Sequence, residues 1–430
     1  MQDKIIILGA GISGLSTAYH LRKQGIPSVI YEQEKTSGGL CSNFIIDGFR
    51  FDRFIHLSFT TSEYVKNLFS KSSSFYTHEP NPFSYYKGIW LKHPAQNNLF
   101  PLPCSEKKEI IKGFKNRPKD SPKEICNYEQ WLRAQYGDCF AEKFPLNYTE
   151  KYWTVPASQL GIKWVGNRMY QPSLEEVCHG AQSPNTPNTY YAKEMRYPKK
   201  GGYKSFLKEL EKGSDVQLEQ KVIRIDCKEK TVHFSNGNRA SYDVLISSLP
   251  LPELCKIITD IPFNIRNAGQ KLKWTSAYLV SIGLLREIPL NLWFYIYGKE
   301  NLPARVYSPS CKSSDNTPKG CSSLQAEVYF SSERLINQTP EQILNSTISS
   351  LINMGVISEK DICVQDIRIE KYANVIFTHD IYKNRDIVHN YLDTMNIKYI
   401  GRFGRWEYLW SDQSLLSGKK MAENLTKNTL

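Results

Sequence analysis

The first forty residues constrain this chain more than any other stretch. An apolar run, Lys4 to Leu8, leads into Gly9-Ala10-Gly11-Ile12-Ser13-Gly14; Leu15 to Gln24 then reads as a helix, and Pro27 to Tyr31 as a second strand that ends at Glu32. Strand, glycine turn, helix and strand in that order make a βαβ unit. Gly9 permits the tight turn, Gly11 lets backbone N–H groups approach a pyrophosphate at the helix N-terminus together with Ile12 and Ser13, and Gly14 lets helix and strand pack closely. Glu32 follows Gly9 by 32 − 9 = 23 residues, near the ~20 expected of a carboxylate that binds ribose hydroxyls. The unit therefore predicts a dinucleotide on a Rossmann-like sheet.

A second glycine turn chooses between dinucleotides. Ser37-Gly38-Gly39-Leu40-Cys41 supplies it; in flavoproteins such a turn crosses the diphosphate and ribityl chain, and nicotinamide enzymes usually lack it. FAD is the expected cofactor, held noncovalently because no histidine or cysteine lies in a flavin-linkage motif. Ile46 to Phe51, ending in Asp52-Arg53-Phe54-Ile55-His56, reads as a strand and loop that bring His56 toward the flavin. Tyr242 to Ser248 and Ile397 to Arg402 read as strands returning to the first sheet. Ser411 to Leu425 reads as a helix whose N-terminal Asp412, Gln413 and Ser414, with Gly401 and Arg402, would face the flavin's pyrimidine edge.

The remainder predicts an α/β chain of three parts: an FAD-binding domain (1–75 with 198–262 and 390–430), a helical insertion (76–197) and an antiparallel-sheet substrate domain (263–389). Helices are expected over Glu106 to Lys115, Ile125 to Tyr136, Cys139 to Tyr148 and Ser158 to Tyr170, and alternating strands over Ala277 to Gly283, Trp293 to Tyr297, Ala304 to Tyr307 and Leu324 to Phe330. At 430 residues the chain has room for this. The 55 basic against 43 acidic residues give a net charge of +12 and call for an anionic partner, and the 26 tyrosines are the compositional oddity. Ten scattered cysteines without a C-x-x-C pair argue against a metal site or a disulfide framework. The apolar start stops at a glycine turn too soon for a secretory core, and no later run reaches the ~20 residues of a membrane span, so a cytoplasmic location is expected.

Several blocks carry a resemblance: His93-Pro94-Ala95-Gln96-Asn97-Asn98, Lys151-Tyr152-Trp153-Thr154-Val155-Pro156, Trp164-Val165-Gly166-Asn167-Arg168, Arg196-Tyr197-Pro198, Arg305 twelve residues after Trp293, and Gly401-Arg402-Phe403-Gly404-Arg405-Trp406-Glu407-Tyr408. With the dinucleotide motif they resemble the flavin amine-oxidase and protoporphyrinogen-oxidase superfamily, and within it the UDP-galactopyranose mutases, particularly the eukaryotic-type branch. That resemblance implies a reduced flavin, with NAD(P)H or another reductant, whose N5 attacks an NDP-sugar and interconverts pyranose and furanose with no net redox change, in polysaccharide or glycoconjugate synthesis. By position it makes Arg168 and Arg305 diphosphate-gripping arginines and Tyr408 a phosphate donor. It puts His56 beside the flavin, Val222 at the adenine, His93 and Gln96 at the nucleotide end, Trp293 and Tyr295 under the sugar, and Asn97 and Trp164 among the substrate-binding residues. A nucleoside-diphosphate sugar, and no nucleic acid, is the implied partner. The alternative is an FAD oxidase or desaturase of the amine-oxidase type.

Three positions depart from the mutase pattern. Phe54-Ile55 stands where the family has a mobile glycine pair, Ile376 where it has a phosphate-binding tyrosine, and Asp412 where asparagine is usual. A carboxylate at 412 beside the sugar would favour a deoxy or amino NDP-sugar.

Overall fold

The computed structural model describes residues 4–117, 125–166 and 168–427. Its nucleotide-binding half is a five-stranded parallel sheet in the order 397–399, 244–247, 5–8, 28–31, 215–217. Ile5–Leu8 is central, paired with Val244–Ser247 on one side and Ser28–Tyr31 on the other. All four of its residues are buried, which is why the sequence there is continuously apolar rather than alternating. Helix Ile12–Lys23 packs on this sheet beneath helix Ser411–Lys427, where the Ser16 hydroxyl donates to the Leu415 carbonyl at 2.7 Å. That crossing sets Gly418 of the last helix against the Ser13 carbonyl, at the end of the glycine turn.

The second half is a seven-stranded sheet in the order 362–375, 274–284, 322–330, 305–307, 293–296, 83–86, 89–92. Its pairings are antiparallel except for Trp293–Ile296 beside Phe83–Tyr86. The stretch expected to be a helical insertion thus also contributes two strands to this sheet. Helices Cys104–Lys115, Tyr128–Tyr136, Asp138–Lys143, Pro145–Tyr152 and Leu174–Gln182 complete it.

Three local expectations are corrected. The helix expected over Cys139 to Tyr148 breaks at Phe144, because Pro145 disfavours helical backbone before it and starts a new helix. Ser158 to Tyr170 is not a helix: a short turn at Ala157–Gln159 gives way to irregular chain that bonds elsewhere, with the Gly161 amide on the Phe377 carbonyl at 2.8 Å and the Tyr128 amide on that of Leu160 at 2.9 Å. The last strand ends at Tyr399, and Gly401–Gly404 makes a helical turn.

Candidate active site

The glycine turn forms a cradle made almost wholly of backbone. Gly9 has φ +96°, and a Cβ on Gly14 would stand 2.0 Å from the Gly9 carbonyl oxygen, so neither position accommodates a side chain. Gly11 differs, because a Cβ there would meet nothing within 4 Å. It caps helix Ile12–Lys23 without a side-chain acceptor, and the first turn carries no acidic residue, so the amides and the positive end of the helix suit a diphosphate. The second glycine turn closes over it, with the Gly38 amide on the Ala10 carbonyl at 2.8 Å. Glu32 is buried at the end of its strand and accepts the Ala10 amide at 2.7 Å and the Glu34 amide at 3.0 Å. Val222 begins the strand that pairs with Phe234.

Between the two sheets and the helical insertion lies a cavity of about 750 Å³. Of the expected site residues, Leu40, His56, His93, Gln96, Trp164, Arg168, Trp293, Tyr295, Arg305, Arg402 and Tyr408 line it. Asn97 does not; it is buried, bonding the Thr189 hydroxyl at 3.3 Å and the Asn98 amide at 3.1 Å. Ser411 reaches the cavity, whereas Asp412, Gln413 and Ser414 lie outside its lining, and Gln413 accepts the Trp410 amide at 2.9 Å. A carboxylate at 412 therefore does not face this cavity, and Ile376 is core, fully buried.

Three arginines meet there in unequal settings. Arg168 donates to the carbonyls of Trp164 (2.6 Å) and Tyr408 (3.1 Å), its guanidinium lies over the rings of Tyr408 and Trp410, and its buried Nε has no acceptor among the described residues. Arg402 donates to the Leu409 carbonyl at 2.7 Å and lies over Tyr408 at 5.5 Å. Among the described residues neither makes an ion pair. Arg305 is paired with Glu327, whose side chain is fully buried, at 2.6 Å.

Burial keeps the two cavity histidines, His56 and His93, neutral at pH 7. Burial pushes His56 down to about 4, with Arg402 and Lys312 lowering it further against Asp52; its ring lies 5.0 Å from that of Tyr203. Burial pushes His93 down to about 3; its Nδ1 lies 3.2 Å from the Ser84 hydroxyl, and its ring lies 4.5 Å from that of Tyr295. Phe54, just before Ile55, holds φ +66°. The positive φ expected of a glycine thus falls on a phenylalanine.

Sequence reasoning missed much of the wall: Tyr148 and Tyr152 from helix Pro145–Tyr152, Tyr190 and Tyr191, Tyr297, Tyr329 and Trp410. Burial raises the phenols of Tyr148, Tyr152 and Tyr329, so they present neutral hydroxyls. The tyrosine surplus was the one signal that could have pointed to them. Among the described residues no helix is long and apolar enough to cross a membrane.

A glycine cradle for a dinucleotide joined to a second, largely antiparallel sheet defines a class of flavoenzymes. The chain belongs to the flavin containing amine oxidoreductase family, whose model matches residues 95–385; residues 7–72 match the NAD(P)-binding Rossmann-like domain. Among solved structures it is similar to reduced UDP-galactopyranose mutase, with TM-score 0.93 and 24% identity over 99% of this chain and 96% of that one. It is also similar to a putative protoporphyrinogen oxidase from Exiguobacterium (TM-score 0.76, 16% identity, 100% and 99% covered). Curated relatives match over short segments: hydroxysqualene dehydroxylase of Sinorhizobium fredii is 38% identical over 69 residues, 16% of each chain, and all-trans-retinol 13,14-reductase of Rattus norvegicus is 29% identical over 121 residues. Those segments span only 16% and 19% of the relatives' own lengths.

The cofactor is FAD, and the cradle fits it. Gly11, Ile12 and Ser13 would hold its diphosphate, Glu32 the adenosine ribose and Val222 the adenine, while Gly38 to Leu40, Gly401 and Arg402 would border the rest, with Asp412, Gln413 and Ser414 at the start of the last helix.

Proposed function

We propose that this chain is a sugar-nucleotide mutase that isomerises an NDP-sugar between pyranose and furanose forms, in the eukaryotic-type manner and within cytoplasmic polysaccharide or glycoconjugate synthesis. The observation that carries this reading is the cavity's chemistry. Two arginines without a carboxylate partner among the described residues stand in a wall of neutral tyrosine hydroxyls and tryptophans, an arrangement suited to an anionic diphosphate joined to a polyhydroxylated ring. Overall likeness to a reduced UDP-galactopyranose mutase agrees with it.

Bound FAD, reduced by NAD(P)H or another donor, supplies an electron-rich centre for the sugar's anomeric carbon. The chain does the rest. Arg168 holds the departing diphosphate by charge-assisted hydrogen bonds, Arg402 adds positive potential from beside it, and Tyr408 lies beneath both guanidinium groups. His93 and Gln96 border the nucleotide end, with the Gln96 amide fixed on the Tyr170 carbonyl at 3.0 Å. Trp293 and Tyr295 bear on the sugar. His56, neutral, offers a hydrogen bond without adding charge beside the flavin.

The test is to incubate the dithionite-reduced protein with a panel of sugar nucleotides and look for an isomer of unchanged mass. A second reading, FAD-dependent oxidation, is favoured by the redox names of the curated relatives. Substrate-dependent oxygen consumption by the oxidised protein, without isomer formation, would select it.

A further inference from the structure

Helix Pro145–Tyr152 brings its last residue to the cavity wall, close to two of its cations. The Arg305 guanidinium lies 5.8 Å from the ring centroid of Tyr152, and the Tyr152 hydroxyl stands 3.5 Å from Asn374 Oδ1. The same amide oxygen accepts Arg402 Nη1 at 3.4 Å. Both separations are long against the ~2.7–3.0 Å of an ordinary hydrogen bond, so a phenol and a guanidinium share one neutral oxygen loosely. Asn374 Oδ1 is the one acceptor that the Tyr152 hydroxyl reaches among the described residues. Tyr329, its ring 4.7 Å away, differs: its proton goes to Glu327 at 2.7 Å. Burial pushes the Tyr152 phenol up, so at neutral pH it keeps a proton to donate.

The phenol is also held in place. Lys151, the buried residue before it, donates to the Ile296 and Gly298 carbonyls at 2.9 Å each, and Arg334 donates to the Glu150 carbonyl at 2.9 Å. These bonds pin the end of the helix, while the Tyr148 ring, one turn back, stacks 5.6 Å from that of Tyr152. A fixed donor with a weak acceptor, set beside two cations, suits an anionic oxygen, which makes the shorter and stronger bond. Strand Ile362–Val375 offers the cavity Ala373 and Asn374, neither of which brings a hydroxyl. Resting on the reading of the cavity as a nucleoside-diphosphate site, we propose that Tyr152 is a further substrate-binding residue, whose hydroxyl donates to a diphosphate oxygen between Arg305 and Arg402. That oxygen displaces Asn374 Oδ1 as the acceptor shared by phenol and guanidinium.

The test titrates UDP into the FAD-loaded protein and follows flavin absorbance, with flavin content as the check on folding. Tyr152→Phe keeps the ring and its aromatic contacts and removes one hydroxyl. It should weaken UDP binding about tenfold and leave uridine, measured by competition with UDP, unchanged, because only UDP carries the diphosphate. Unchanged UDP binding would mean that the ring merely packs, and equal losses for UDP and uridine that the cavity is disturbed as a whole; either overturns the proposal. Should the variant not hold FAD, a crystal structure of the wild-type FAD–UDP complex decides alone: the Tyr152 hydroxyl should lie within about 3.2 Å of a diphosphate oxygen, and a longer separation overturns the proposal. If the wild-type protein binds neither UDP nor another nucleoside diphosphate, the site reading fails and this assignment falls with it, an outcome distinct from unchanged binding in the variant alone.

Discussion

The cradle and the cavity solve recognition in opposite ways. In the cradle the binding groups are backbone amides, and specificity comes from the absence of atoms: a Cβ at Gly14 would strike backbone at 2.0 Å, whereas one at Gly11 would project into open space. In the cavity the binding groups are guanidinium and phenol side chains carried by widely separated segments, from Leu40 to Ser411. The difference teaches where each region is fragile. The largest expected effect lies in the cradle. Gly14→Val should give a protein that does not hold FAD and loses native circular dichroism, because helix and strand cannot close. Gly11→Ala should fold normally and only weaken FAD binding. If both variants keep their flavin colour and far-ultraviolet spectrum, the cradle is not built by close approach.

In the cavity a side chain can be removed without touching the fold. Arg168→Ala should leave flavin content intact and weaken nucleoside-diphosphate binding or turnover tenfold or more, since a hydrogen bond to a charged group contributes roughly 1.5–3 kcal/mol. Wild-type UDP affinity by flavin titration in this variant would take Arg168 out of the site.

The same difference explains which residues were legible in the chain. Spacing within forty contiguous residues specifies the cradle, so Gly9, Gly14, Gly38 and Glu32 could be assigned one residue at a time. The cavity depends on pairings such as Arg305 with Glu327, 22 positions apart and meeting only through sheet register. Glu327 sits in a strand buried on both faces, where alternation carries no signal, and a lone acid in an apolar run was its only mark. The failed helix at Ser158 to Tyr170 has the same origin. Its apolar spacing is real, but Leu160 and Gly161 bond residues more than 200 positions away, Thr378 and Phe377, and tertiary pairing overrides local propensity. Asp412 misled because position along a helix does not give the direction of its side chain.

Acid should load the buried histidines, those of the cavity among them, with His389 outside it likewise pushed down to about 4 by burial. His56 and His93 border the cavity with values pushed down to about 4 and about 3, chiefly by burial, whereas an unfolded chain protonates its histidines near ~6.5. The unfolded state therefore binds more protons below that pH. The stability of the neutral rings is present in full above about 6.5 and is lost as pH falls toward 4. At pH 5 each ring should cost roughly 1–2 kcal/mol, allowing for the surface both retain. The thermal midpoint of the FAD-saturated protein should drop between pH 7 and pH 5, and His93→Phe should flatten that slope. A level profile would show that the rings protonate without cost. Paired carboxylates contribute below about 4.5, outside this window.

The smallest effect tests where the two designs meet. Phe54 takes a left-handed backbone, φ +66°, and yet is buried against Ala277, Leu279 and Tyr329, its ring 6.3 Å from that of Tyr329. A glycine would supply that backbone freely but would pack nothing. The chain has accepted strain of about 1–3 kcal/mol in return for burying a large ring. Removing the ring costs about 3–5 kcal/mol in either small variant. Phe54→Ala keeps the strain, whereas Phe54→Gly releases it and bears only the extra entropy of a glycine, ~0.5–1 kcal/mol. Phe54→Gly should therefore be the more stable of the two by about 1 kcal/mol, the reverse of the usual order of alanine and glycine. Urea denaturation of the two FAD-saturated variants measures the difference. Alanine equal to or better than glycine would mean that the loop leaves the left-handed conformation once the ring is gone, and that the aromatic contact with Tyr329, rather than the glycine-like turn, holds His56 in place.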